Sequence, residues 1–178
     1  HLNPERVAII TFNDSRIGAW SQSRALAAQA GVDCFRASDL STLRLLVEDL
    51  RDRSVILIDT AGPDCQAQAL QFRELGLGIE THLVLPADAS IGSVKRLLEN
   101  PQAWNSLMVC KIDESHSPWP VVQAMCDRRV PVSCMSLSSD VKVQARTLDP
   151  SRILAAGFAR LQADLGLNAT AAITSMSW

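Results

Sequence analysis

Short apolar, β-branched runs alternate along the chain with longer stretches whose apolar positions recur at helical spacing. The runs cover residues 7–11 (VAIIT), 54–59 (SVILID), 82–86 (HLVLP), 107–112 (LMVCKI) and 131–135 (PVSCM), with a weaker one at 32–36 (VDCFR). Most are continuously apolar, the pattern of strands covered on both faces. Between them the 3.6-residue period predicts helices over 16–30, 40–51, 66–75, 92–100, 118–128 and 152–165. Asp39 or Ser41 can cap the second helix, Pro118 suits the first turn of the fifth, and Gly31 stands where a left-handed residue ends the first. Asp149-Pro150-Ser151 is a stop followed by a start. Strands alternating with helices imply a three-layer α/β fold, a mostly parallel sheet with helices on both faces. Residues 1–165 read as that domain, and 166–178 as a C-terminal tail.

Composition narrows the class. The 178 residues are 47% hydrophobic and 20% charged, which excludes a disordered or acidic-tail protein. Seventeen Lys and Arg stand against 19 Asp and Glu, so there is no basic excess to grip nucleic acid, and none is expected as a partner. No apolar run approaches the roughly 18 residues that cross a bilayer. The five cysteines (34, 65, 110, 126, 134) form no CxxC pair and read as small core residues of a reducing compartment, the cytoplasm. His82 and His116 lack a partner at metal-ligand spacing, and Trp20, Trp104 and Trp119 read as packing anchors.

In open parallel sheets, ligands bind at the carboxyl ends of the strands. There the chain carries Asn13-Asp14-Ser15-Arg16, then Asp59-Thr60-Ala61-Gly62, then Lys111-Ile112-Asp113-Glu114, then Ser136. A carboxylate at a strand tip such as Asp59 can hold the water shell of Mg²⁺, and Gly62 lets a backbone N–H approach a terminal phosphate. The same tetrapeptide also serves simply to cap a turn. The Lys111 stem can lie along a purine ring, while Asp113, pointing the same way from an extended segment, accepts two hydrogen bonds from guanine. An exposed Lys/Asp pair at a strand end is the plainer alternative. Arg16, with Gln22 on the following helix, can neutralise phosphate charge or lie in solvent.

Taken in order, RIGA at 16–19, DTAG at 59–62, HLVL at 82–85 and KIDE at 111–114 resemble the signal-recognition-particle-type (SRP-type) GTPases, nearest to the flagellar FlhF branch. That branch typically reads D-T-Y-R-I-G-A, D-T-A-G-R, H-L-V-L-S-A and T-K-L-D-E. The resemblance runs from about residue 7 to residue 161 and implies a P-loop NTPase-like domain that binds GTP with Mg²⁺ and pairs with a copy of itself through its nucleotide face. It implies a part in flagellar biosynthesis and polar targeting, at the inner face of the cell membrane or the cell pole. Asp59 falls in the magnesium shell, Gly62 at the γ-phosphate, Lys111 and Asp113 at guanine, Ser136 near the base, and Arg16 and Gln22 on the phosphate and dimer side. Asn13 falls at the family's catalytic aspartate, and an amide cannot take a proton from water.

Further departures are Pro63 for the Arg of DTAGR, Cys110 for the Thr of TKLD, and Leu137 for a Gly. The sequence G-x-x-x-x-G-K-[ST], which cradles phosphates, is absent from these 178 residues. The resemblance implies that it lies upstream of His1, which reads as a cut edge. The expectation is a GTP site that is incomplete in this chain, weak or absent in hydrolysis. A non-hydrolysing dimerisation or targeting module on the same fold is the alternative. An unrelated flavodoxin- or receiver-like domain, with Asn13, Asp14 and Asp59 as an acidic cluster, gives no reason for KIDE.

Overall fold

The computed structural model describes residues 3–62, 64–115, 117–128, 130–136, 138, 146–147, 154–155 and 157–159. The expected 152–165 helix lies largely, and the 166–178 tail wholly, outside the described residues, as do His1, Pro63, His116 and Leu137. The chain divides into two compact units, residues 1–79 and 80–178.

The first unit is built on β1 (Val7–Phe12), α1 (Ala19–Ala30), β2 (Asp33–Ala37), α2 (Leu40–Asp49), β3 (Val55–Thr60) and α3 (Cys65–Glu74). Its three strands are parallel in the order β2-β1-β3. The weak 32–36 run is thus a full strand, shifted by one residue. Alternation along β1 sends Ala8, Ile10 and Phe12 into a core with Ala37, Leu43, Leu50 and Phe72. Phe12 meets Phe72 edge to face at 5.2 Å. Asp39 caps α2 by accepting from Thr42 N at 2.8 Å, and Gly31 closes α1 at φ 68°.

The second unit carries β4 (His82–Pro86), α4 (Ile91–Leu97), β5 (Ser106–Cys110), α5 (Trp119–Arg128), β6 (Val132–Met135) and β7 (Arg146–Thr147). Its strand order is β4-β5-β6-β7, parallel except for the antiparallel β6–β7 pair. Leu83, Leu85, Leu107, Val109 and Met135 are buried, as are Val94 and Val121 on α4 and α5. Trp104 is buried and donates its indole N–H to Leu97 O at 2.9 Å, the packing role expected of it. Parallel strands alternating with helices make each unit an α/β structure. Among the described residues no helix is long and apolar enough to cross a membrane.

Two expected boundaries move for a physical reason. The first helix begins at Ala19 rather than residue 16, because Gly18 at φ 82° turns the chain into it. β5 ends at Cys110 rather than residue 112, because Lys111 adopts φ 57° and breaks the ladder.

Candidate functional site

In the first unit the candidate residues gather at the carboxyl ends of β1 and β3. Asn13 leaves β1 in the left-handed region at φ 48°, a conformation asparagine tolerates, and donates its N–H to Ala37 O at 2.9 Å. This reversal starts the loop that carries Asp14 and Arg16. Asp14 Oδ1 accepts from the Arg16 backbone N–H at 3.1 Å, an Asx turn. The same carboxylate takes the Arg16 side chain through Nε at 2.9 Å and Nη2 at 2.5 Å. Hydrogen bonds from Arg16 hold the Asp14 carboxyl down at about 2. The Asp14 side chain is only 7% exposed while that of Arg16 is 69% exposed.

Asp59 sits one residue before the end of β3, in register with Thr11 of β1, which in turn faces Arg36 of β2. Partial desolvation against the strands pushes its carboxyl up. The negative charge of Asp14 adds to that shift, and Arg16 works against it. Asp14, Arg16 and Asp59 therefore share one electrostatic neighbourhood. A side-chain carbon added at Gly62 meets nothing within 4 Å, so the protein's own packing does not require glycine there, and the space beside its backbone is open. Gln22 lies exposed on α1, its N–H engaged with Gly18 O at 2.9 Å. Among the described residues no hydrogen bond joins its side chain to Asp14 or Arg16.

In the second unit, Lys111 to Ser115 form a turn, which corrects the expectation of an extended segment carrying Lys111 and Asp113 on one side. The left-handed φ of Lys111 starts the turn, and its carbonyl accepts from Glu114 N at 3.2 Å and Ser115 N at 3.0 Å. Lys111 Nζ lies 3.4 Å from Glu114 Oε2, and Lys111 and Asp113 are both exposed. Ser136 is tied to this loop on both sides. Its N–H donates to Val109 O at 2.9 Å, and its carbonyl accepts from Ile112 N at 3.4 Å. Its hydroxyl donates to Ser138 O at 3.1 Å. The fold thus brings Ser136, 25 and 23 residues after Lys111 and Asp113, to a loop adjoining theirs. Cys110 precedes them with its thiol pushed up by burial, so it stays a neutral side chain. His82 lies away from these loops, its Nδ1 2.8 Å from Ser106 Oγ.

Among the described residues no three His, Cys, Asp or Glu side chains cluster closely enough to hold a metal. A lone strand-tip carboxylate fits Mg²⁺ only in its usual form, with waters and ligand phosphates filling most of the shell. Asp59 meets that requirement. Sequence analysis gives Asp14 no role in the nucleotide reading. The signal that finds it is the Asp14-Ser15-Arg16 spacing, which allows the side chain to bond its own turn and the guanidinium together. Arg36 carries no motif; strand register sets it opposite Thr11 of β1, and its positive charge helps to lower the Asp14 carboxyl.

No family model matches the chain. A curated relative, the flagellar biosynthesis protein FlhF of Aquifex aeolicus (strain VF5), is 25% identical over 146 residues, covering 78% of this chain and 39% of its own length. The chain thus spans about two fifths of that relative. Among solved structures, FlhF complexed with GTP and Mg²⁺ superposes with a TM-score of 0.68 at 21% identity, over 88% of this chain and 61% of that one. The signal recognition particle 54 kDa protein of Aeropyrum pernix K1, in complex with GDP, gives 0.59 at 20% identity, over 89% of this chain and 41% of its own. The signal recognition particle receptor FtsY of Elizabethkingia anophelis gives 0.60 at 19%, over 85% and 55%. At these identities the structures show the shared fold.

Proposed function

We propose that this chain, similar to the SRP-type GTPases and to FlhF among them, recognises a guanine nucleotide through the loops at its strand carboxyl ends. The observation that carries the reading is the backbone tie between the Lys111–Ser115 turn and Ser136, which holds both loops in place before any ligand arrives. The Lys111 stem lies along the purine face, and Asp113 accepts from guanine N1–H and the exocyclic amine. Ser136 borders the base. Adenine offers no such pair of donors, so the site prefers guanine.

On the phosphate side, Asp59 holds waters of a Mg²⁺ ion, whose charge, when bound, offsets that of the phosphates. The open space at Gly62 admits a phosphate oxygen to its backbone N–H. Arg16 contributes positive charge, and Gln22 faces the dimer side of the nucleotide. Asn13 occupies the position of the proton acceptor, and its amide cannot accept one, so hydrolysis is weak or absent. The phosphate-cradling glycine-rich sequence is not among these residues, so the contacts proposed here are those made outside it.

The role that fits is that of an FlhF-like GTPase acting in flagellar biosynthesis and polar targeting. It works in the cytoplasm or peripherally at the inner membrane face, and self-associates through the nucleotide face. Asn13 favours a second reading, a pseudo-GTPase used for dimerisation or targeting without turnover. The test is competition between GMP and AMP, read from amide shifts of residues 111–115 and 136. Guanine preference should fall about tenfold or more in Asp113→Ala. An unchanged preference in that variant refutes the base-recognition role.

A further inference from the structure

The Asp14–Arg16 pair has a geometry that the nucleotide reading leaves unused. Arginine recognises carboxylate and phosphate with the same planar fork of N–H groups. Here the Nε–Nη2 edge of Arg16 is closed on both oxygens of Asp14, at 2.9 and 2.5 Å, with a further Nε contact at 3.2 Å. The carboxylate sits beneath the guanidinium, 7% exposed against 69%. A further bond, from the Arg16 backbone N–H, fixes Asp14 to its own turn. Next to this pair, Gly18 leads into α1 without a side-chain cap and with no acidic residue in its first turn, so the N-terminal backbone N–H groups of α1 face no side-chain acceptor. Asp59 and Arg36, the other charges acting on the pair, oppose each other in sign. The element best placed to compete with an incoming anion for Arg16 is therefore Asp14 itself.

We infer that Asp14 is a positioning residue that sets the anion affinity of this loop, by occupying the guanidinium edge that a phosphate group takes. The inference rests on the reading of Arg16 as a phosphate-side residue. Binding of a phosphate exchanges one bidentate partner of Arg16 for another. Asp14, still bonded to the Arg16 backbone N–H, turns its charge to solvent. The arrangement keeps a strongly exposed arginine ordered in the unliganded protein and weakens its grip on any anion that does not outcompete a carboxylate.

The probe is inorganic tripolyphosphate, which carries no base, titrated while amide signals of residues 13–20 and the Arg16 Nε–H are followed. Asp14→Asn retains the turn-making oxygen and loses the charge, and should bind tripolyphosphate about two- to fivefold tighter, the scale of an exposed ion pair. Asp64→Asn, which removes an equal charge from the N-terminus of α3, should show no comparable gain. Adding Arg16→Ala to Asp14→Asn should erase the gain. Asp14→Ser, which keeps a turn-making oxygen, replaces Asp14→Asn if the amide disturbs amide signals outside the loop. Equal affinity in wild type and Asp14→Asn overturns the inference, as does an equal gain in Asp64→Asn or a lack of binding in every variant. Guanine selectivity, read at residues 111–115 with GMP and AMP, separates this outcome from the nucleotide reading. Either can fail while the other stands.

Discussion

At the residue scale, the two carboxylates of the first unit are set in opposite directions by their surroundings. Arg16 stabilises the charged form of Asp14 by hydrogen bonding and holds its carboxyl at about 2, against 3.8 unperturbed. Desolvation and the nearby Asp14 charge push Asp59 upward. Carboxyl-carbon NMR titration should therefore show Asp14 losing its proton well below Asp59. In Arg16→Ala, Asp14 should return toward 3.8 and Asp59 should rise further, since Arg16 lowers both. A single shared titration midpoint for the two would contradict the placement. The linkage to stability also differs in sign. The Asp14 contribution is fully present above about 3.8 and is lost as pH falls toward 2. The raised Asp59 favours the protonated folded state, so its effect weakens stability as pH rises through and above 3.8.

The same scale shows what one sequence can and cannot disclose. The strand-end places of Asp59, Gly62, Lys111, Asp113 and Ser136 were legible because strand ends are marked by apolar runs, and polar residues after them stand out. The direction of Asp113 was not legible. The expected extended geometry depends on backbone dihedrals, and Lys111 at φ 57° carries no glycine or asparagine to announce it. The Asp14–Arg16 pair was hidden because a short i, i+2 side-chain bond leaves no periodic trace.

At the scale of elements, hydrophobic period located the strands and helices closely, since burial of one face decides both. β2 was faint because only Cys34, Phe35 and Ala37 mark its apolar content, yet parallel pairing to β1 along five residues fixes it. β7 was missed outright: two residues, Arg146 and Thr147, are too short to carry an alternation. Ends were set by backbone chemistry, as the helix terminus at Gly31 illustrates. Its φ of 68° costs an L-residue strain, and an added Cβ would meet Pro4 only at an ordinary 3.8 Å. Gly31→Ala should accordingly destabilise the first unit by about 1 kcal/mol through conformation alone. Denaturant unfolding followed by α1 amide signals checks this, and an unchanged midpoint would show that the turn relaxes freely.

At the scale of the whole chain, composition gave a near-neutral domain able to bury a core, and the order of four short motifs gave the resemblance. Asp14, Arg16, Asp59 and Gly62 lie in the first unit, and Lys111, Asp113 and Ser136 in the second. The proposed base-side loops are tied by their own backbone bonds, and Arg16 and Asp59 are the groups proposed to meet phosphate. Base recognition should consequently survive while overall affinity stays low. The most direct measurement is a parallel titration of this chain with GTP and with ATP in the presence of Mg²⁺, by calorimetry with amide shifts. The account predicts a GTP dissociation constant of about 1 mM or weaker, equivalent to about −4 kcal/mol or less favourable. Shifts should appear at residues 111–115 and 136 with GTP and not with ATP. A micromolar constant, or equal shifts with ATP, would contradict it.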